Sequence, residues 1–351
     1  MSGARGPAVT IPVIDLAAAL RGDAGARRAA AGAIDRAARG IGFFAVAGHG
    51  VPAALEHDAR AAVLEFFAQP LADKLRVSRP SPEESRGYAG IGGEGLARGL
   101  GGEAPHDLKE SFAIGPVDSW PATVLGEHAY PHYTPNVWPE RPARLRAVWE
   151  RYYRAQWRLA DEILELLALG LGVPEDTLVA FTDHCYSNLR AQYYPPLTDA
   201  PAPGQLRAGA HTDYGAITVL RGDAGVSGLE VQSVAGDWQA VTFVEDTYVI
   251  NLGDQLAMWS NDVWRSTLHR VVVPDDEPSR TVGRLTLGFF HMPNADATIA
   301  CLPHCSGPDR PARYPPLSAG WHKRLKFALS NGLADVVAAA PESARRAVMR
   351  R

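Results

Sequence analysis

Hydrophobic and polar positions follow different periods in the two halves of the chain. Apolar residues recur at helical spacing in residues 23–39, 52–67 and 141–171, which predicts three amphipathic helices. From Ser187 to Met292 the apolar residues instead form short, β-branched runs that are separated by turn residues. The pattern therefore predicts helices in the first half and a series of short strands in the second.

Many short strands with regular turns are typical of a β-sandwich or jelly roll. The N-terminal region adds short strands at 11–16 and 42–51, and another strand begins at Asp107. We therefore predict a fold that is mostly β with flanking helices around a jelly-roll core. The strands predicted in the second half are 216–220, 229–232, 238–241, 248–252, 267–273 and 284–290.

A histidine and an aspartate lie two residues apart where one of these strands begins. His211 and Asp213 precede the run 216–220, so the segment is predicted to be a turn that enters a strand. Side chains at i and i+2 of a strand share a face, so the imidazole and the carboxylate should point together. We expect His269, in another β-rich run, to be a third ligand. Two histidines and one carboxylate leave half of an octahedral shell open, as in non-haem Fe(II) oxygenases, whereas a structural zinc site closes its shell and prefers thiolates.

Residues on both sides of this motif predict a site for an anion. Arg284 and Thr286 share a face of one predicted strand, so a guanidinium fork and a hydroxyl can bind the same carboxylate. Tyr194, before the first histidine, can donate its phenol to that anion. Metal ligands followed by an anion anchor indicate a bidentate, dicarboxylate co-substrate.

Five motifs in this order carry a resemblance to a known family, and it covers nearly the whole chain. They are Gln192-Tyr-Tyr194-Pro-Pro, His211-Thr-Asp213, Asn251-Leu-Gly-Asp254, His269-Arg-Val and Arg284-x-Thr286. The set resembles the 2-oxoglutarate/Fe(II)-dependent dioxygenases of the isopenicillin N synthase-like superfamily. This resemblance is specific at the level of the superfamily and carries no information about the substrate.

The resemblance implies a double-stranded β-helix with the metal ligands inside the barrel mouth. It implies Fe(II), the co-substrate 2-oxoglutarate, and a small-molecule substrate that is oxidised with O2, releasing succinate and CO2. Hydroxylation is the default outcome, and desaturation, ring closure or ethylene formation would use the same ligands. The implied iron ligands are His211, Asp213 and His269. The residues implied to bind 2-oxoglutarate are Arg284, Thr286, Tyr194 and Gln192.

The sequence departs from the family pattern at two places near the anchor. The residue two positions after Arg284 is usually serine in the family and is threonine here, which keeps the hydroxyl. The interval from the third metal ligand to the arginine is longer than usual, with an apparent turn insertion at 274–278. Arg280 is a rival anchor, but Val282 stands where its hydroxyl partner should be, so we prefer Arg284.

Two other functions remain open from the residues alone. One is an isopenicillin N synthase-type oxidase, in which the arginine and the hydroxyl bind the substrate's own carboxylate. The other is a catalytically inactive jelly-roll binding module. Candidates for the substrate pocket are Arg86, Phe112, Trp259 and the C-terminal segment, although none of them identifies a substrate.

Two further groups of residues resemble ligand sites but lack the expected context. Cys301, His304 and Cys305 offer three zinc ligands without a fourth partner at a usual spacing, and His49 is expected to be structural at a strand end. The glycines of 90–95 mimic a dinucleotide-binding fingerprint, but no strand precedes them and no helix pattern follows. We therefore predict a loop over residues 78–102 that covers the active site.

Pattern and composition also predict the organisation of the chain and its partners. We expect an N-terminal α/β region at 1–125, a central helical segment at 126–184, a jelly-roll catalytic core at 185–305, and a C-terminal helix with a frayed basic tail at 306–351. A net charge of −4 without a basic stripe argues against a nucleic-acid partner. No signal peptide or membrane-spanning run is present, and the three cysteines make no disulfide framework, so a cytoplasmic location is the simplest expectation. The sequence leaves the oligomeric state open and is compatible with a monomer.

Overall fold

Short strands in two packed sheets form the centre of the protein. The structure is a computed structural model that describes residues 11–100, 105–197, 201–224, 228–273 and 281–348. Its strands are β1 (Val13–Asp15), β2 (Phe43–Ala47), β3 (Gly87–Ala89), β4 (Glu110–Ile114), β5 (Asn188–Tyr194), β6 (Ala208–His211), β7 (Ile217–Arg221), β8 (Leu229–Gln232), β9 (Trp238–Ala240), β10 (Tyr248–Leu252), β11 (His269–Val271), β12 (Arg284–His291), β13 (Thr298–Ile299) and β14 (Leu317–Ser318).

The larger sheet has the strand order β1-β2-β10-β7-β12-β5-β4-β3. Only β1 and β2 pair in parallel in this sheet; its other neighbouring strands are antiparallel. Strands of the N-terminal region therefore pair with strands of the second half, β2 with β10 and β4 with β5. The larger sheet therefore combines strands from two of the four predicted segments, 1–125 and 185–305. The division of the chain into those segments stays a prediction.

The smaller sheet has the order β6-β11-β8-β9 and packs against one face of the larger sheet. Alternation along β2 explains this packing. Phe43 and Ala45 join Leu229 and Val231 of the smaller sheet, whereas Phe44 points into a second core on the other face. Successive side chains of a strand point to opposite faces, so β2 contributes to both cores. The two packed sheets with helices outside them confirm the predicted jelly roll.

The described part of the chain also contains helices. They are α1 (Ala17–Leu20), α2 (Ala24–Gly40), α3 (Ala53–Phe67), α4 (Leu71–Leu75), α5 (Ala122–Leu125), α6 (Ala129–His132), α7 (Leu145–Leu171), α8 (Asp176–Val179), α9 (Asp254–Trp259), α10 (Ala319–Asn331), α11 (Ala334–Ala339) and α12 (Glu342–Val348). The apolar faces of α2, α3 and α7 bury residues such as Ile34, Phe66 and Trp149. Short 3-10 turns occur at Leu96–Leu100, Gly126–His128 and Pro303–Cys305. Among the described helices, none combines the length and the apolar character needed to cross a membrane.

Local signals explain where helix α10 begins and ends, and this helix contributes to the functional site. Ser318 accepts a hydrogen bond from the backbone N–H of Trp321 and so satisfies one free donor of the first turn. Gly332, with φ of 71°, ends the helix in the left-handed region that glycine adopts at low cost.

The structure corrects three of the predicted elements. The long helix begins at Leu145 and not at 141, because Arg141 precedes a proline and that position disfavours helical backbone angles. The C-terminal region contains three helices instead of one, since Gly332 and Pro341 interrupt an otherwise helical sequence. The predicted loop 78–102 contains strand β3 and a 3-10 turn. Residues 349–351 of the predicted tail lie outside the described residues.

Candidate metal centre

Two antiparallel strands of the smaller sheet bring the two predicted histidine ligands together. His211 is the last residue of β6 and His269 is the first residue of β11. The register places these residues directly opposite each other, and their ring centroids are 4.4 Å apart. Residues that face each other across an antiparallel pair have neighbouring side chains, so the sheet register itself creates the pair.

Asp213 joins the histidines by a route that differs from the predicted one. Strand β6 ends at His211, so Asp213 lies in the turn before β7 and does not share a strand face with the histidine. The backbone N–H of Asp254 donates to the carbonyl of Asp213 at 2.8 Å and ties this turn to the start of α9. The prediction that the two side chains converge is confirmed, but the strand alternation behind it is wrong.

Glycine is needed where this turn contacts the segment before α9. A Cβ atom on Gly253 would lie 2.3 Å from the carbonyl oxygen of Gly215, far inside van der Waals contact. The N–H of Gly253 also donates to the carbonyl of Ala216 at 2.7 Å. This close approach of two backbones fixes the turn that carries Asp213 against the end of β10.

The three side chains direct one atom each toward a common centre. The Nε2 atoms of His211 and His269 each lie 3.8 Å from Oδ1 of Asp213. One ligand atom from each residue lies within 4.8 Å of the other two, and this is the only such group of metal-binding side chains among the described residues. Two imidazoles and a carboxylate suit a first-row divalent ion that keeps open coordination positions.

Hydrogen bonds orient each of the three groups. The Nδ1–H of His211 donates to the carbonyl of Gly209 at 2.7 Å, and that of His269 donates to the carbonyl of Thr267 at 3.0 Å. A carbonyl can only accept, so Nδ1 carries the proton and Nε2 presents its lone pair to the centre. Such bonds to the second ring nitrogen are usual for metal-binding histidines.

The carboxylate of Asp213 is held through its other oxygen. The amide nitrogen of Asn251 donates to Oδ2 at 2.7 Å, and the hydroxyl of Thr218 donates to the same oxygen. Both donors come from neighbouring strands of the larger sheet, β10 and β7. Oδ1 is therefore left to face the histidines. Sequence reasoning missed the role of these two residues, although Asn251 belongs to one of the motifs.

Electrostatics keep His211 ready for a metal. Burial and the neighbouring His269 lower the pKa of His211 to about 4, although the charge of Asp213 acts in the opposite direction. A neutral imidazole is the form that binds a metal, so His211 needs to lose no proton near neutral pH. The chemistry of the donor set and the neutral state of His211 both fit Fe(II).

The next histidines after His269 in the sequence, His291 and His304, take no part in the triad. His291 is fully buried and bonds to Asp161 at 3.1 Å and to Ser187 at 3.0 Å. Burial lowers the pKa of His291, but hydrogen bonds to Asp161 and Cys185 outweigh this effect and raise it to about 9. His304 is exposed, and the nearby cysteines form no metal-binding cluster within the described residues. The structure therefore makes a structural role the better explanation for His291.

One cavity extends from the triad toward the predicted anion anchor. Its walls include Gln192, Tyr194 and Thr286 together with the three triad residues. In the pairing of β5 with β12, Thr286 lies opposite Gln192 and Arg284 lies opposite Tyr194. The Thr286 hydroxyl donates to Oε1 of Gln192 at 3.1 Å. The four predicted residues thus occupy one patch of the larger sheet.

Arg284 lies beside this cavity, in contact with one of its walls. It is 7% exposed, and its guanidinium carbon is 5.3 Å from the ring centroid of Tyr194. A second guanidinium, Arg207, lies close by and was missed by the sequence reasoning. Burial lowers the pKa of Arg207 to about 10, and the charge of Arg284 is the second cause of this shift. The rival anchor Arg280 and the apparent insertion at 274–278 lie outside the described residues.

A second cavity also borders the triad. It shares Gln192, His211, Asp213 and Phe290 with the first cavity. Its remaining walls come from the N-terminal region, the larger sheet and helix α10: Ser85, Leu96, Ala113, Asn188, Arg190, Thr212, Tyr214, Met292, Lys323 and Phe327. Leu96 belongs to the predicted covering loop, which therefore reaches this cavity.

Of the predicted pocket residues, only the C-terminal segment lines the second cavity. Arg86 is buried and donates to the carbonyl of Pro131 and the hydroxyl of Thr134. Phe112 packs among Phe66 and Trp149, and Trp259 stacks on Phe181. These three side chains belong to the core. The sequence could not show this, because an aromatic or cationic residue beside a motif carries no signal of the direction in which its side chain points.

Comparisons with known proteins agree with this geometry. The family model of the 2OG-Fe(II) oxygenase superfamily matches residues 185–293. A second family model, described as the non-haem dioxygenase in morphine synthesis N-terminal, matches residues 11–141. The two matched ranges contain the strands of both sheets and all three triad residues.

Relatives and solved structures extend the likeness over most of the chain. Validamycin A dioxygenase of Streptomyces hygroscopicus subsp. limoneus is 35% identical over 309 residues, which cover 86% of this chain and 82% of the relative. A full-length Neurospora crassa protein, solved in complex with alpha-KG, has a TM-score of 0.79 and 31% identity, over 91% of this chain and 95% of that chain. JOX2 in complex with 2OG, Fe and JA has a TM-score of 0.74 and 30% identity, over 92% and 86%. The chain therefore belongs to the 2OG-Fe(II) oxygenase superfamily and is a 2-oxoglutarate-dependent non-haem iron dioxygenase.

Proposed function

We propose that His211, Asp213 and His269 hold the Fe(II) of this dioxygenase and that the enzyme hydroxylates a small molecule. The observation that carries the proposal is the convergence of two imidazole nitrogens and one carboxylate oxygen where two cavities meet. With Fe(II) and 2-oxoglutarate bound, the centre supplies oxidation of a C–H bond by O2, with release of succinate and CO2. The protein's part is to position the ligands and to separate the two organic molecules.

Asn251 and Thr218 act as positioning residues for the only carboxylate of the triad. Because both donate to Oδ2, Asp213 keeps Oδ1 directed at the centre. The Nδ1 bonds of His211 and His269 fix the ring planes in the same way. Partners of this kind commonly change metal affinity 10- to 100-fold when they are removed.

Arg284, Thr286, Tyr194 and Gln192 bind 2-oxoglutarate in the first cavity. The guanidinium pairs with the carboxylate farthest from the triad, and the hydroxyls of Thr286 and Tyr194 donate to the same group. Apolar walls, including Leu220, Phe243 and Val271, exclude water from this pairing. The neighbouring Arg207 adds positive charge at this end of the cavity.

Iron binding and 2-oxoglutarate turnover test the assignment together. Asp213→Ala should lose Fe(II) binding in an anaerobic titration and succinate formation in air, while its far-UV circular dichroism and melting remain those of a folded protein. Asp118→Ala is the matched control, because Asp118 is an exposed carboxylate that pairs only with Arg154 among the recorded ion pairs of the described residues. Wild-type iron content and activity in the Asp213 variant would show that the ligand assignment is wrong.

The alternative oxidase reaction differs in its products. An isopenicillin N synthase-type oxidase would use Arg284 and Thr286 for the substrate's own carboxylate and would release no succinate. The alpha-KG present in the similar Neurospora crassa structures supports the co-substrate instead. Release of one succinate for each oxidised substrate distinguishes the two reactions.

We place the enzyme in the cytoplasm, which the three free cysteines support.

A further inference from the structure

Lys323 of helix α10 is a buried cation in the second cavity, beside the triad. It is 4% exposed, its Nζ donates to the hydroxyl of Ser85 at 3.3 Å, and it lies 5.1 Å from the ring centroid of Phe327. Neighbouring lysine and arginine residues of the same helix have carboxylate partners: Lys326 pairs with Asp254 and Arg324 with Glu83. Within the described part of the chain, no carboxylate is recorded as an ion-pair partner of Lys323.

The charges around Lys323 add to its own. Arg190 lines the same cavity and shares the carboxylate of Glu94 with Arg79. Lys109 lies 3.6 Å from Glu94 and 2.7 Å from Asp107. This cluster comprises four cations and two carboxylates: Arg79, Lys109, Arg190, Lys323, Glu94 and Asp107. Arg190 and Lys323 line the cavity itself, and in this cluster four basic side chains stand against two carboxylates.

Burial and neighbouring cations both affect the protonation of Lys323. Burial, followed by the charges of Arg86, Arg79 and Arg190, lowers the pKa of Lys323 to about 7, whereas Glu84 acts weakly in the opposite direction. An anion next to the ammonium group would oppose these effects. A buried lysine without a carboxylate partner reduces the stability of the empty protein, and such arrangements are concentrated at sites that a ligand completes.

The remaining walls describe the rest of the ligand. Phe290, Met292 and Phe327 line the cavity together with Leu96 and Ala113, so its walls include a large apolar surface. The cavity also contains His211 and Asp213, so a molecule bound there lies next to the metal centre. The 2-oxoglutarate site lies in the other cavity, where Thr286 and Tyr194 form the walls.

We propose that the oxidised substrate is an amphipathic carboxylic acid, whose carboxylate pairs with Lys323 while its apolar part contacts Phe290, Met292 and Phe327. The ammonium group of Lys323 is the main cation here, because the neighbouring guanidinium of Arg190 already pairs with Glu94. One such cation matches a singly charged carboxylate. The proposal rests on the proposed function, because it takes the second cavity as the place of the oxidised substrate. The proposal excludes amines as substrates, because the cations near the cavity repel them. It also predicts that neutral esters bind more weakly than the corresponding acids.

The test uses anaerobic wild-type enzyme loaded with Fe(II) and 2-oxoglutarate. Binding is measured by calorimetry for a library of aliphatic and aromatic monocarboxylates of about four to twelve carbons, each paired with its methyl ester and its amine analogue. The best-bound acids should bind roughly tenfold to a hundredfold more tightly than their esters, as expected for one hydrogen bond to a charged group. If no acid in the library is preferred over its ester, or if amines bind best, the proposal is wrong.

Two variants connect the preference to the lysine. Lys323→Met should reduce the difference between acid and ester to about threefold or less, whereas Arg324→Gln, which removes a partly exposed ion pair on the same helix, should keep the wild-type difference. Lys323→Met should also raise the melting temperature of the ligand-free protein, because it removes a buried charge that lacks a partner. A preference that survives Lys323→Met, or a lower melting temperature of that variant, would assign the lysine a structural role instead.

The dissociation constant for 2-oxoglutarate separates this proposal from the proposed function. It should be the same in Lys323→Met and in the wild type, since the co-substrate occupies the other cavity. Weaker 2-oxoglutarate binding in the variant would place the lysine in the co-substrate site and overturn the inference alone. Failure of the wild-type protein to bind Fe(II) and 2-oxoglutarate would instead overturn the proposed function.

Discussion

Replacing Arg284 with alanine should weaken 2-oxoglutarate binding far more than iron binding. Arg284 is 7% exposed and lies over the ring of Tyr194, so a carboxylate that reaches it is removed from water. Losing one partner of a buried ion pair typically costs about 3–5 kcal/mol, which is roughly a hundredfold to a few thousandfold in affinity. Arg207 remains beside the site in this variant. We therefore expect the lower end, a rise of roughly a hundredfold in the dissociation constant.

A graded series distinguishes the anchor from its neighbours. Thr286→Val keeps the side-chain volume and deletes one hydrogen bond to a charged group, so it should cost about 1–3 kcal/mol and less than Arg284→Ala. Arg280→Ala should leave 2-oxoglutarate binding unchanged, because Val282 gives that arginine no hydroxyl partner. Arg154→Ala, which removes an exposed pair with Asp118, controls for the loss of an arginine as such.

The assay is calorimetric titration of 2-oxoglutarate into anaerobic Fe(II)-loaded enzyme, with iron content and thermal melting measured for each variant. Unchanged 2-oxoglutarate affinity in a folded, iron-loaded Arg284→Ala protein would refute the anchor. A large effect of Arg280→Ala with a small effect of Arg284→Ala would show that the insertion after residue 273 shifts the register. Loss of affinity for the oxidised substrate alone would place Arg284 in the substrate site.

Four further variants probe the metal centre and its surroundings. His269→Ala should lose Fe(II), whereas His291→Ala should keep iron and lose stability instead, because His291 bonds to Asp161 and Ser187 in the core; retained iron in the first with loss in the second would exchange their roles. Asn251→Leu should weaken Fe(II) binding about 10- to 100-fold with the fold retained, because one of the two donors to Oδ2 of Asp213 is lost; unchanged iron affinity in an anaerobic titration would argue against the positioning role. The pKa of His291 is raised from 6.5 to about 9 in the folded protein. Its contribution to the free energy of unfolding should therefore be fully present below pH 6.5 and lost as the pH rises through 9. In chemical unfolding, the free energy of unfolding of His291→Gln should depend less on pH over this range than that of the wild type.

The chemistry of the centre could be predicted from the sequence because few residue types can form it. The strand periods also predicted β8 and β10 with their observed bounds, since both are short apolar runs between clear turns. The argument that joined His211 to Asp213 was nonetheless wrong. The two side chains meet through a turn held by Asp254 and two closely packed glycines, and these contacts depend on segments far apart in sequence.

The second cavity could not be predicted for the same physical reason. Its walls combine Leu96 of a short turn, Arg190 of β5 and Lys323 of a C-terminal helix, and no local period relates these residues. Within α10, Lys323, Arg324 and Lys326 look equivalent in the sequence. Only tertiary packing shows that two of them have carboxylate partners and that the third is directed into a cavity.

The charge balance of the bound complex gives the two cavities a common explanation. Fe(II) with one carboxylate ligand has a net charge of about +1, and the dianion 2-oxoglutarate would change it to about −1. A second carboxylate brought to the same centre would then be repelled, and the repulsion is stronger in a cavity that excludes water than in solvent. Cations at the two cavities resolve this conflict, because each anion can place its charge beside its own partner, at Arg284 beside one cavity and at Lys323 in the other. Since both cations are buried before either ligand arrives, each ligand should stabilise the folded enzyme, and the two effects should be close to additive because their anchors lie in different cavities.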